Sequence, residues 1–129
     1  MKYTPYHMKD VHDASSQNKF KVISTFAGGG GSSTGYRLSG GKILCINEFV
    51  EEARTTYAEN YPDTPIMPDD IKELTGEDIL KVANISQGEL DILDGSPPCS
   101  AFSVAGSLSH NIHEEERVDL FGDVTVQKV

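Results

Sequence analysis

The chemistry in this chain centres on a thiol. Pro97-Pro98-Cys99 follows the short run Asp91-Ile92-Leu93-Asp94-Gly95-Ser96, so Cys99 stands just beyond a buried-strand pattern with two rigid residues ahead of it. A thiolate held in such a loop is a nucleophile. The tripeptide by itself is more often a stiff connection with a small buried thiol, and the residues upstream bear on the choice. Ala27-Gly28-Gly29-Gly30-Gly31-Ser32-Ser33 is a turn that allows unusual dihedrals and close backbone approach, and Glu48 lies 20 positions after Gly28. A glycine turn followed at that distance by an acid is the pattern of an adenosine-ribose site, the carboxylate accepting from ribose hydroxyls. Ser33 stands where a dinucleotide fold prefers its third glycine, and a glycine run is also often only a flexible turn. Asp70-Ile71 adds an acceptor for an exocyclic amine and an apolar surface for a purine, and Phe49 offers a cover for the other face. Taken singly, Asp70 also reads as a cap of the segment after it and Phe49 as core.

These residues need elements to hold them. Residues 20–26 read as a strand, and a short helix over residues 33–38 follows the glycine turn. Gly40-Gly41 stops that helix, and residues 42–47 form a second strand with a continuous apolar centre. Residues 48–61 are helical in pattern, with Val50, Ala53, Tyr57 and Tyr61 near one face and Pro62 at the end. Pro65-Ile66-Met67-Pro68 is a short extended piece. Thr75-Gly76-Glu77-Asp78 is a capping box that opens a helix to about residue 85, and residues 90–93 are a fourth strand. The alternation predicts a doubly wound α/β fold with a parallel sheet. Ligands of such sheets bind beyond the carboxyl ends of the strands, which here are the glycine turn, Glu48, Asp70 and the Pro-Pro-Cys loop.

Composition bounds the partners. The 129 residues suit one domain or part of one, and 37% hydrophobic with 24% charged residues is ordinary for a globular protein. No apolar run approaches the roughly 20 residues of a membrane span. The first 19 residues are polar, with His7, Asp10, His12 and Asp13, and read as an arm that is neither a secretory signal nor a transit peptide. A cytoplasmic location is expected. Two cysteines, Cys45 and Cys99, suggest free thiols, and Cys45, mid-strand, reads as a small core residue. The net charge of -9 opposes nucleic-acid binding by these residues alone. His110 and His113 lie three apart beside Glu114-Glu115-Glu116, but the pattern fixes no third ligand and no metal is expected.

Phe26-Ala27-Gly28-Gly29-Gly30-Gly31, Asn47-Glu48-Phe49, Asp70-Ile71 and Gly95-Ser96-Pro97-Pro98-Cys99-Ser100-Ala101-Phe102-Ser103 occur in that order. In this the chain resembles the amino-terminal half of a DNA cytosine carbon-5 methyltransferase over residues 20–121. Arg117-Val118-Asp119-Leu120-Phe121 is similar to the segment that resumes helical structure after that family's catalytic loop. The resemblance implies a Rossmann-like, S-adenosylmethionine-dependent fold with an incomplete parallel sheet and flanking helices. It implies Phe26, Gly28, Gly29, Gly30 and Pro97 along the cofactor, Glu48 on its ribose, Phe49 and Ile71 flanking adenine, and Asp70 on the adenine amine. Cys99 would be the nucleophile toward a cytosine flipped out of double-stranded DNA.

The chain ends at Val129, where that family continues with a glutamate for cytosine N3, an Arg-containing motif, a target-recognition domain and a last cofactor-lining segment. The expectation is therefore an arm over residues 1–19 and a partial catalytic domain over residues 20–129, with a second chain as a possible source of the rest. Two rivals stand beside it. One is a nicotinamide-dependent dehydrogenase, which the glycine turn and Glu48 allow. The other is a cofactor-binding module, half of a split or truncated enzyme, without activity of its own.

Overall fold

A computed structural model describes residues 2–99, 115–118 and 124–127. The chain divides into two units, Met1–Ser96 and Pro97–Val129. The first holds helix α1 (Met8–Ser15), strand β1 (Lys21–Thr25), α2 (Gly31–Leu38), β2 (Lys42–Asn47), α3 (Glu51–Asn60), β3 (Ile66–Met67), a 3-10 turn (Ile71–Glu73), α4 (Gly76–Ala83) and β4 (Ile92–Gly95). The second contributes β5 (Glu115–Val118) and β6 (Val124–Gln127), an antiparallel pair.

The four strands of the first unit form one sheet in the order β3-β2-β1-β4, and every pair in it is parallel. All four carboxyl ends therefore share one edge. The chain has the α/β, Rossmann-like architecture expected of its alternating pattern, with helices flanking a four-stranded parallel sheet.

Both sheet faces are covered, which is why β1 and β2 read as continuous apolar runs rather than alternating ones. Val22, Ile43, Ile46, Tyr57 and Tyr61 pack on one face with Val11 of α1, and Ile23, Cys45, Met67 and Ala83 pack on the other. The register between β1 and β2 shifts at Val22/Ile23, which pair with Ile43 and Cys45, so Leu44 is an extra residue in β2. That bulge lets Ile43 and Ile46, three apart, reach the same core while Leu44 and Cys45 both serve the other.

Several boundaries differ from the sequence reading. The polar first 19 residues contain a helix whose Val11 is fully buried, and α1 packs on α2. One apolar residue on an otherwise polar turn carries no visible stripe, so periodicity misses it. Helix α3 starts at Glu51 rather than at residue 48, leaving Glu48, Phe49 and Val50 outside it. Of the four residues on its expected face, Tyr57 and Tyr61 reach the core, and Val50 is the exposed N-cap. The capping box at Thr75 and Asp78 forms as read, its hydroxyl and N–H donors holding the Asp78 carboxyl below its ordinary value. Arg117 and Val118 lie in β5, not in a helix. Val118 pairs in register with Val124 of β6.

Two stability predictions follow from this packing. Val11→Ala lowers the unfolding free energy by about 2 kcal/mol in urea titrations, whereas Met8→Ala, on the exposed side of α1, changes it by less than about 0.5 kcal/mol. Burial pushes the Cys45 thiol from 9.0 up to about 11. The unfolded chain therefore loses this proton first, and stability falls as pH rises from 9.0 to about 11. Cys45→Ala flattens that part of the pH profile.

Candidate functional site at the carboxyl edge

Beyond β1 the chain turns sharply. Phe26 has φ 51°, a left-handed conformation that costs a bulky side chain roughly 1–2 kcal/mol. Gly28 and Gly30 follow with φ 60° and 104°. A side chain at Gly30 would meet the Tyr57 ring at 3.1 Å, whereas the space over Gly28 is open. The turn is held by two backbone bonds, Ala27 N–H to Asn47 O at 3.2 Å and Gly30 N–H to Ala27 O at 3.3 Å. Gly30 is the N-cap of α2, so the first N–H groups of that helix sit at this edge without helical partners. Gly29 is exposed between the two.

The end of β2 supplies the next residues. Glu48 is half-buried, and its carboxylate has no hydrogen-bond partner among the described residues. Phe49 is 65% exposed, which excludes the core reading of this ring. Both stay in extended loop because Arg54, one turn into α3, donates from Nη1 to the carbonyl oxygens of Glu48 at 3.2 Å and Phe49 at 2.5 Å.

Asn47 fixes the third segment. Its buried amide donates to the carbonyls of Met67 at 3.0 Å and Asp69 at 2.8 Å, and so carries the chain after β3 toward β2. Asp70 next to it caps the 3-10 turn, one carboxylate oxygen accepting from Lys72 N–H at 3.0 Å, with Ile71 half-buried behind it. The cap reading of Asp70 therefore holds for one oxygen and leaves the other.

Of the sequence-selected residues, Phe26, Gly28, Gly29, Gly30, Glu48, Phe49, Asp70 and Ile71 follow the ends of three adjacent parallel strands. Pro97 and Cys99 belong to the second unit, where Cys99 is exposed and its Sγ lies 3.8 Å from the carbonyl oxygen of Pro97. Ser100, Ser103, His110 and His113 lie outside the described residues.

The sequence reading gave no role to Arg54 or Asp94, nor to Asn47, which it quoted only as the first residue of a motif. Asp94, near the end of β4, accepts from Ser24 Oγ at 3.0 Å and from Tyr36 Oη at 3.4 Å. Partial burial and the Asp94 carboxylate together push the Tyr36 hydroxyl above its ordinary value. A carboxylate breaking the apolar run of a strand was the available signal for Asp94, and membership of the Asn47-Glu48-Phe49 motif that for Asn47; nothing local marks Arg54.

The family model described as C-5 cytosine-specific DNA methylase matches residues 20–126. This chain belongs to that family. Among curated relatives, the Type II methyltransferase M.AquIA of a Picosynechococcus is 37% identical over 67% of this chain, and M.AgeI of Thalassovita gelatinovora is 35% identical over 67%. M.HpaII of Haemophilus parainfluenzae is 35% identical over 84%. The chain spans 35%, 20% and 27% of the lengths of these three relatives. No solved structure matches it significantly. Among the described residues, no helix is long and apolar enough to cross a membrane.

The two thiols of this family member differ in access. At pH 8, iodoacetamide modifies exposed Cys99 and leaves buried Cys45 untouched until urea unfolds the chain, as peptide mass spectrometry will read.

Proposed function

We propose that this chain supplies the methyl-donor site and the nucleophile of a DNA cytosine carbon-5 methyltransferase. The observation that carries the reading is the convergence of the strained glycine turn, Glu48 and Asp70 on one edge of a parallel sheet, in a chain of the cytosine methylase family. The donor is S-adenosylmethionine, which when bound supplies an electrophilic sulfonium methyl group for carbon-5.

The residues fit that group. The open space over Gly28 admits close approach to the backbone, and the Glu48 carboxylate, an acceptor without a protein partner among the described residues, suits two ribose hydroxyls. The second oxygen of Asp70 suits the adenine amine. The exposed Phe49 ring and Ile71 suit the two faces of the purine. Phe26, Gly29, Gly30 and Pro97 complete the contacts in this reading. Arg54 is a positioning residue, since it holds the Glu48-Phe49 backbone extended.

Cys99 supplies the covalent chemistry. Its thiolate bonds to carbon-6 of a cytosine drawn out of duplex DNA, and the electron pair of the 5,6 double bond makes carbon-5 nucleophilic. After methylation a base removes the carbon-5 proton, the double bond re-forms and the thiolate leaves. A hydroxyl would add more slowly and leave less readily. With 20 Asp and Glu against 11 Lys and Arg, these residues carry little surface for phosphate, so DNA is held chiefly by parts of the enzyme that the longer relatives have in addition.

Calorimetric titration of the chain with S-adenosylmethionine tests the donor site, with NAD as the control. Selective binding that weakens at least about tenfold in Glu48→Ala is expected, because one partly buried charge-assisted pair is lost. Binding of NAD in preference would overturn the reading in favour of a dehydrogenase. In an enzyme of the relatives' full length, Cys99→Ser abolishes methyl transfer to DNA while leaving donor affinity within about twofold; retained transfer would remove Cys99 from the mechanism.

A further inference from the structure

A second constellation lies at the opposite edge of the sheet. Arg37, in the last turn of α2, is 4% exposed. Its Nη1 donates to Tyr57 Oη at 3.1 Å and its Nη2 to Thr64 Oγ1 at 2.7 Å, while the guanidinium carbon stands 3.6 Å from the centre of the Tyr61 ring. Every one of these partners is neutral. Among the described residues the one ion pair is Lys9–Asp13 on α1, so no carboxylate lies within pairing distance of this guanidinium. An arginine cannot shed its proton to escape burial, and a buried charge without an opposite one is costly.

Arg37 lines a cavity of about 360 Å³ together with His12, Ser16, Asn18, Lys42 and Asp63. These residues come from the end of α1, the start of β2 and the segment before β3, which the parallel topology puts at the amino edge, away from the glycine turn. In a chain of net charge -9, this cavity gathers the cations of Arg37 and Lys42 against the single carboxylate of Asp63. Two of the five guanidinium N–H groups are used by protein hydroxyls.

We infer that this amino-edge cavity is a binding site for a compact oxyanion, a phosphate or a small carboxylate, held by Arg37 and Lys42. The planar guanidinium fork matches two oxygens of such an anion, and the stacked Tyr61 ring and the Thr64 hydroxyl hold the fork in place before the ligand arrives. A volume of about 360 Å³ is at the small end for ligand sites and has room for a compact anion with accompanying water. The bound anion would tie α1, α2 and the segment after α3 together and so stabilise the amino-terminal unit. This site does not rest on the proposed methyl transfer: Arg37 and Lys42 are not among the proposed donor contacts, although the Tyr61 ring stacked on Arg37 also packs against Gly30 of the glycine turn.

The test is titration of the full chain with inorganic phosphate, followed by amide resonances, with citrate and sodium chloride of matched ionic strength as parallel arms. Saturable shifts confined to the cavity are expected, with half-saturation at about 1 mM or below. Lys42 is exposed, so Lys42→Glu keeps the fold and weakens binding at least about fivefold; Arg37→Lys, which removes the fork, weakens it further. Tighter binding of citrate than phosphate supports the site and assigns the ligand as a carboxylate. Shifts that do not saturate, that chloride reproduces, or that persist unchanged in Lys42→Glu overturn it.

Discussion

Asn47 ends β2 with its side chain buried and its amide bonded to the carbonyls of Met67 and Asp69, while its own backbone oxygen accepts from Ala27. One residue thus joins the exits of three neighbouring strands. Strand ends are where ladder bonds stop, and backbone groups left there in a partly buried edge must find partners. A side-chain amide with two donor hydrogens supplies them without continuing the strand. The spacing of the glycine turn, Glu48 and Asp70 is set by these bonds, so the geometry of the whole carboxyl edge rests on them.

The strain at Phe26 belongs to the same arrangement. A phenylalanine at φ 51° persists where its surroundings over-determine it, and here Asn47 holds the next residue while Gly30 is hemmed in by Tyr57. Gly30 cannot gain a side chain because the ring of α3 occupies that space, which ties the turn to helix packing as well as to the sheet. The loop between β2 and α3 is governed from the other direction, by Arg54 reaching back to two carbonyls. The carboxyl edge is therefore organised by polar contacts to backbone, and the apolar core supplies the platform.

The opposite edge follows a different rule. There, Arg37 sits among Tyr57, Tyr61 and Thr64, and Tyr57 passes a further hydrogen bond to Ser33 at 2.9 Å. Tyr57 carries a raised hydroxyl value because burial outweighs the opposing pull of Ser33 and Arg37. The serine that replaces the third glycine of a dinucleotide motif is thus a core residue bonded to α3. Its presence reflects helix packing and carries no information about the ligand.

The sequence by itself determined the class of the fold and the order of its elements. Apolar runs of four to six residues separated by caps and glycine turns can be satisfied only by strands covered on both faces, and β2 appears where its run predicts it. The ordered motifs also determined the family, and they nominated Glu48, Asp70 and Cys99, the residues on which the proposed site rests. Tertiary structure decided what depends on distant partners: that Val11 turns a polar arm into a packed helix, that Arg54 keeps Phe49 out of α3, and that β5 pairs with β6 where a helix was expected. It also decided that Arg37 and Asn47 matter. Their side chains act across 20 to 27 positions of sequence, and no local pattern records a contact made at that range.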